Sequence, residues 1–333
     1  MQYCKSNKII PQYTKCEFVA VNGTEADREP LPFGEAFLQH ASHIVLLGSH
    51  LTNTGSVAED LQLHMKKRHP SVIKFYNFIR SNKSAPLKVK LKVMKACVMG
   101  SLLHNSETFG DWMPKDLEST YIKLLKCCLD VRSSTPNHLV LIESGFLPVK
   151  ALILCRQYKS YKRFVDCIQL NSLRHRTFRH LLQYQTRYIK HYESIITKYS
   201  CTDDILYESR NTVKSKVYQL ADKGRYKFSI YAEINPDLVK SPFIDVYHPI
   251  ARDIIKFRLG NHYLPIETGR WRSIPRQERL CTVCGVLGDE RHALYNCAMI
   301  PRENRQLNTY LHHIWYQPEI FRLFKCLKNA EFL

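Results

Sequence analysis

The chain has 333 residues, 44% of them hydrophobic, enough for two or three domains with a sizeable core. It carries 49 Lys and Arg against 30 Asp and Glu, a formal net charge of +19 that points to an acidic partner and most economically to nucleic acid, a generally basic solvated surface being the alternative. The opening M-Q-Y-C-K-S-N-K has no apolar segment, and no apolar run long enough to span a membrane follows, so neither a secretory signal nor a membrane partner is expected. The 12 cysteines are scattered and include the adjacent Cys127 and Cys128 in an apolar helical pattern, which reads as reduced thiols of a cytosolic or nuclear protein.

In chain order, K-C-E-F-V-A-V (15–21) reads as a strand ending in the turn pair Asn22-Gly23, and H-I-V-L-L-G-S (43–49) as a second apolar strand, with a Pro- and Gly-punctuated loop over 28–34 between them. Helices then take over. Ser56 and Glu59 form a capping box in S-V-A-E-D-L, and the helix they start is expected to end or break near Pro70. A second helix starts at Pro86 with Leu91, Met94, Val98 and Leu102 on one face. Its opening L-K-V-K-L-K-V alternates like a strand, but the helical pattern continues for another turn or more. A third follows Pro114, burying Leu117, Tyr121, Leu124 and Cys128. Helical patterns fill 148–170, 172–199 and 203–218, and C-T-D-D (201–204) reads as an acidic helix N-terminus. The Pro-rich stretch 234–243 reads as a linker ahead of a helix over 250–259. Leu307, Leu311, Ile314 and Trp315 in the tail have helical spacing suited to packing. The fold class is mainly α (α+β), with a small N-terminal β element.

Two stretches carry candidate chemistry. Between Ser144 and Tyr192 there are ten Lys or Arg and one acid, Asp166. Arg156, Lys159 and Arg163 fall on one helix face that can follow a phosphate backbone, and Arg174, Arg176 and Arg179 extend it. Tyr158, Tyr161, Phe164, Phe178, Tyr184 and Tyr188 interleave with them, either to stack on unpaired bases or to fill a helix–helix core. The second stretch is R-L-C-T-V-C-G-V-L-G-D-E-R-H-A-L-Y-N-C (279–297), in which Cys281, Cys284, His292 and Cys297 are spaced C-x2-C-x7-H-x4-C. Three thiolates and an imidazole suit one structural zinc, with Gly285 allowing a tight turn. The alternative is a disulfide with a bystander histidine. Just upstream, Arg270, Trp271, Arg272, Arg276 and Arg279 form a second basic group able to grip phosphate bidentately, Trp271 either exposed to a ligand or packed on the zinc loop. His312 and His313 read as surface or partly buried residues.

Four stretches, in order, resemble the C-terminal part of the reverse transcriptase of non-LTR (LINE-type) retrotransposons. Y-T-K-C-E-F, with Lys15, resembles the last palm strand and its lysine motif. V-L-L-G-S, with Leu47, Gly48 and Ser49, resembles the primer-grip turn. L-H-M-K-K-R, the A-P-L-K-V-K helix and N-S-E-T-F-G-D-W resemble the thumb. H-Y-L-P-I-E-T-G-R-W-R-S-I-P-R-Q-E-R-L-C-T-V-C resembles the arginine-rich lead-in to the zinc knuckle.

The resemblance implies a palm edge with primer-grip turn over 1–50, thumb-like helices over 51–135, a basic helical linker region over 136–245, and the arginine-rich lead-in and CCHC knuckle over 246–333. The chain departs from the family in Gln12 and Val45. It also lacks the F/Y-x-D-D hairpin, which would precede Met1, and Glu17, Glu25, Asp27, Glu29 and Glu35 offer no substitute. No catalytic residue is expected, magnesium enters only if a longer chain supplies the palm, and P-R-E-N-R with an apolar tail leaves no nuclease. The resemblance thus implies a nucleic-acid-binding fragment gripping RNA, DNA or an RNA–DNA hybrid without polymerising, in nucleus or cytoplasm. The alternatives are the C-terminal piece of a longer active reverse transcriptase, or a repurposed or decayed interaction module.

Overall fold

Alternation and turn chemistry set the N-terminal elements. The computed structural model describes residues 6–8, 10, 12, 15–34, 36–166, 173–300 and 318–332, with the side chains at 115, 173–175 and 318–320 outside that description. The pattern around Leu307 and the His312-His313 pair lie outside the described residues. The chain forms two compact units, one made of residues 1–72, 100–117 and 156–198, the other of 73–99, 118–155 and 199–333.

In the first unit, β1 (Glu17–Phe18) runs parallel to β3 (Ala36–His40), and β2 (Leu31–Phe33) pairs antiparallel with β3, giving the order β1-β3-β2. The stretch 28–34, expected as loop, therefore contains a strand. Pro32 is tolerated because β2 lies at the sheet edge, where a missing N–H breaks no ladder. The run 43–49 is not one strand but β4 (His43–Leu46) and the start of a hairpin with β5 (Ser49–Thr52). Its two turn residues, Leu47 and Gly48, both have positive φ, +50° and +85°, as a type I′ turn requires.

Helix α1 (Val57–Ser81) passes through Pro70 without ending. Pro70 and Lys66 are exposed, so the Lys66 carbonyl that loses its N–H partner can bond to water, while Leu61, Val72, Phe75 and Ile79 are buried and hold the helix together. Half the capping box forms: Ser56 Oγ accepts from the Glu59 N–H at 3.4 Å, while the Glu59 carboxylate accepts from Thr54 Oγ1 at 2.6 Å. The helical pattern over 172–199 is two helices, α6 (Leu173–Gln183) and α7 (Arg187–Lys198), separated by a turn with Gln185 at φ +44°.

In the second unit, the stretch after Pro86 is helical: α2 (Leu87–Val93) continues as a π-helical stretch, Met94–Met99. Leu91, Met94, Val98 and Leu102 are all buried, as the periodicity required. Helix α3 (Lys115–Leu129) buries Leu117, Tyr121, Leu124 and Cys128 completely, and α4 (Asn137–Ser144) ends on Gly145 in the left-handed region. Helix α5 (Val149–Asp166) belongs to this unit only up to residue 155, its remainder to the first, and α8 (Thr202–Asp222) follows here, its Asp204 carboxylate accepting from the N–H groups of Ser200 and Cys201 at 2.9 and 3.0 Å. Asp204 of C-T-D-D thus caps the helix, with Asp203 beside it in the first turn.

After α9 (Tyr226–Ile234) the segment 234–243 is not a linker. Asn235, Leu238, Ser241 and Phe243 are buried in it, the Ser241 N–H donates to Glu143 O at 3.0 Å, and Asn235 Nδ2 donates to Val239 O at 2.8 Å. The prolines shape a buried turn whose backbone is satisfied by the Asn235 side chain and the Glu143 carbonyl rather than by a ladder. Helices α10 (Ala251–Arg258), α11 (Pro265–Trp271) and α12 (Pro318–Asn329) complete the described fold, which is mainly α with a small N-terminal β element. No single helix among the described residues is long and apolar enough to cross a membrane.

Candidate metal centre and basic surfaces

A tight turn brings the first two cysteines together. Cys281 N–H donates to Val286 O at 2.7 Å, Gly285 N–H donates back to Cys281 O at 2.9 Å, and Gly285 takes φ +66°. The second half is a short helical turn, His292–Asn296, whose first N–H is capped by Asp289 Oδ1 at 2.9 Å and whose end places Cys297 through a Cys297 N–H to His292 O bond of 2.8 Å. The ligand atoms of Cys281, Cys284, His292 and Cys297 all lie within 4.8 Å of one another, with three of the residues buried and Cys284 partly so.

The donor set fits a metal ion. Around a tetrahedral ion with metal–sulfur bonds of about 2.3 Å, two sulfurs stand about 3.8 Å apart, and Cys281 Sγ lies 3.9 Å from Cys297 Sγ. That distance is far from a disulfide of about 2.05 Å, and Cys281, Cys284 and Cys297 are all free thiols. His292 Nε2 is buried with no hydrogen-bond partner, a costly condition that coordination would relieve. Burial holds the His292 imidazole below its usual value, which favours the neutral form a metal needs. At Cys281 burial opposes charge, but the N–H groups of Cys284 and Val283 together with the thiols of Cys297 and Cys284 outweigh it and lower the thiol, while burial pushes Cys297 up to about 11. The Ala298 N–H donates to Cys284 Sγ at 3.3 Å, the kind of bond that stabilises a thiolate.

Behind the cluster sits a network the sequence did not announce. Glu290 accepts from Tyr226 Oη at 2.8 Å and pairs with His262 Nε2 at 3.0 Å. The Asp289 cap had a readable signal, an acid three residues before the helical turn's histidine. The His262–Glu290 pair is 28 residues apart and had none.

The arginine-rich lead-in is largely spent on the fold. Arg270 pairs with Glu267 at 2.7 Å, Arg276 lies over the Tyr226 ring at 4.0 Å, and Arg279 donates to the carbonyls of Ile274 and Ile266 at 2.8 and 3.1 Å. Arg272 is exposed. Trp271 is 41% exposed, yet one face is covered by the Arg132 guanidinium at 3.4 Å and its ring makes a T-shaped contact with Tyr263. Three of these arginines thus contact the knuckle's own backbone and neighbours, while Arg270, Arg272 and Arg276 remain exposed.

In the first unit the basic tract separates by chemistry. Tyr161, Phe178, Ile189 and Tyr192 form a buried cluster, with Phe164 and Tyr188 packed against it, and Tyr158 is buried too. Those aromatics fill a core and do not present faces to bases; Tyr184, 64% exposed, is the exception. Lys159, Lys162, Arg163, Arg176 and Arg179 are exposed. Arg156 is exposed but donates to Leu103 O, and Arg187 is held by Asp111 at 2.6 Å. The side chain of Arg174 lies outside the described residues, and Lys15 is exposed just before β1.

The turn of Leu47, Gly48 and Ser49 is tethered from behind. His104 Nε2 bonds Leu47 O at 2.9 Å, Arg68 Nη2 donates to Gly48 O at 3.0 Å, and Asn105 Nδ2 donates to Ser49 Oγ. A Cβ on Gly48 would stand 2.7 Å from His104 Nε2 and push that ring aside, and the φ of +85° favours glycine there. Leu47 itself projects, 87% exposed.

No protein-family model, curated protein or solved structure matches the chain.

Proposed function

We propose that the protein binds nucleic acid, gripping RNA or an RNA–DNA hybrid by its phosphates, as its resemblance to the C-terminal part of a LINE-type reverse transcriptase implies. The observation that carries this reading is the segregation along α5–α7: the aromatics other than Tyr184 turn inward and a row of lysines and arginines is left outward. A phosphate backbone is met by such a row without reading sequence, and release of condensed counterions drives the binding. The reading places the protein in the nucleus or cytoplasm.

The knuckle's metal is zinc in this proposal, because three sulfurs and one nitrogen in a closed, tetrahedral-sized cluster are a structural zinc set with no open position for catalysis. Zinc would hold the loop after α11 in shape; the residues themselves do no chemistry on a substrate. Magnesium-dependent polymerisation would need converging carboxylates, and among the described residues the Cys3His cluster is the one group of metal-binding side chains that converges.

The test is binding of the full chain to a primed RNA template and its hybrid product across a salt series, with extension assayed in magnesium and nucleotides. Steeply salt-dependent binding without extension is expected. Absence of binding, or tight binding indifferent to salt, would overturn the phosphate grip, and primer extension would overturn the non-polymerising role.

A further inference from the structure

Stacking chemistry, which among the described aromatics along α5–α7 falls to Tyr184 alone, is also present within the second unit. One cavity of ≈ 470 Å³ is lined by Arg132, Lys256, Asn261 and Tyr263. A second, of ≈ 510 Å³, is lined by Lys83, Tyr247 and Arg252. Both are also lined by Asp253 and Lys328, whose ion pair at 2.9 Å marks their shared wall. Each cavity thus has an exposed aromatic ring, Tyr263 at 55% and Tyr247 at 67%, beside arginine.

Charge and hydrogen-bonding capacity favour an anionic, polar occupant. The two acids in the walls are already matched, Asp130 by Lys256 at 2.5 Å and Asp253 by Lys328. Arg132, Arg252 and Lys83 then stand as surplus positive charge. Arg132 Nη1, Arg252 Nε and Asn261 Oδ1 are buried atoms with no hydrogen-bond partner, two donors and one acceptor on side chains that line the cavities. Arg132 is held in place by stacking on Trp271, so its remaining donors are pre-set and little freedom is lost when they bind.

We infer that the paired cavities form a groove for a single unpaired nucleic-acid strand, with bases stacking on Tyr263 and Tyr247 and phosphates met by Arg132, Arg252 and Lys83. The inference rests on the nucleic-acid reading above and assigns to it a second, chemically different site. An exposed ring beside a cation accepts any base face, but a duplex keeps its base faces inside the stack, so this groove discriminates strandedness rather than sequence. Asn261 Oδ1 offers an acceptor for an exocyclic amino group.

The experiment uses the full chain with labelled oligouridylate, oligothymidylate and a blunt RNA–DNA hybrid. The double variant Tyr247→Ala/Tyr263→Ala should lose roughly tenfold or more in affinity for oligouridylate, since each stacked base contributes about 1–3 kcal/mol, and should hold the hybrid as the unsubstituted protein does. Tyr247→Phe/Tyr263→Phe, which keeps both rings, should restore strand binding and so separates stacking from folding. Ultraviolet cross-linking of the unsubstituted protein to oligouridylate should mark Tyr247 or Tyr263. The thymidylate arm tells whether the 2′-hydroxyl matters. Salt-dependent hybrid binding with strand binding absent, or indifferent to the alanine pair, would overturn the groove and leave the phosphate grip standing. Tyrosine-dependent strand binding with no hybrid binding would do the reverse.

Discussion

The Arg258 guanidinium grips the Glu143 carboxylate across 115 positions of chain, Nε to Oε1 at 2.6 Å and Nη2 to Oε2 at 3.2 Å, with both side chains buried. Tyr231 Oη donates to the same carboxylate at 2.7 Å, and Asn235 Nδ2 donates to Tyr231 Oη at 3.2 Å. The network ties α4, α9 and α10 together just ahead of the metal-binding loop. Burial works against the Arg258 charge, but Glu143 and Tyr231 outweigh it and raise the guanidinium's pKa.

Removing one partner of this pair strands the other. Glu143→Ala is expected to lower stability by about 3–5 kcal/mol, because an unpaired buried guanidinium is left behind. The double variant Glu143→Ala/Arg258→Met should recover much of that loss, since a well-packed apolar replacement of a buried pair is often near neutral. Chemical denaturation of the three proteins measures it; equal midpoints for the single variant and the unsubstituted chain would contradict the assignment.

The metal cluster gives the second prediction. Purified, reduced protein should carry about one zinc per chain, as a closed four-ligand site requires. Cys297→Ser or His292→Ala should lose the metal and open the region 276–300 to protease, because the Gly288 carbonyl that accepts from the Ile266 N–H at 3.0 Å belongs to the loop that the ion holds. A folded sample with no zinc, or unchanged cleavage in that region, would sink it.

The elements that were legible in the sequence are those whose information is local. The buried faces Leu91–Met94–Val98–Leu102 and Leu117–Tyr121–Leu124–Cys128 follow from helical period alone. The Cys3His spacing works the same way, since ligands close in sequence converge through one turn and one helical step. What failed were punctuation marks whose meaning depends on distant partners. Pro70 reads as a stop, yet lies on the exposed face of a helix held by its other side. The prolines of 234–243 read as a linker, yet Glu143 O, far away in sequence, accepts the Ser241 N–H.

A buried histidine supplies a pH dependence. His64 bonds Leu102 O at 3.1 Å and meets Phe109 edge-on, and burial, reinforced by nearby Arg68, pushes its imidazole down from 6.5 to about 4 against the opposing effect of the Leu102 bond. The unfolded chain therefore takes up a proton near pH 6.5 that the folded chain refuses until about 4. The stabilisation is fully present above 6.5 and is lost as pH falls through that window, below which both states are protonated. His64→Gln, which keeps a donor for Leu102 O and cannot titrate, should flatten the stability profile over that interval. Parallel profiles for the two proteins would show that His64 is not the group responsible.

The exposed row on α5 sets the last prediction. Lys159, Lys162 and Arg163 are exposed, whereas the Arg156 guanidinium already donates to Leu103 O. If each of the first three meets one phosphate, replacing them together by alanine should reduce the log–log salt slope for duplex DNA by nearly three units, about 0.9 for each phosphate no longer neutralised. Affinity at low salt should fall, uniformly across sequences, because phosphate contacts carry no base information. Arg156→Ala should behave differently: it removes a hydrogen bond to Leu103 O, so its effect should appear mainly in thermal stability and only weakly in the slope. A triple variant with an unchanged slope would mean that the row is a solvated face, and a slope that responds to Arg156 alone would move the phosphate grip to the helix turn before it.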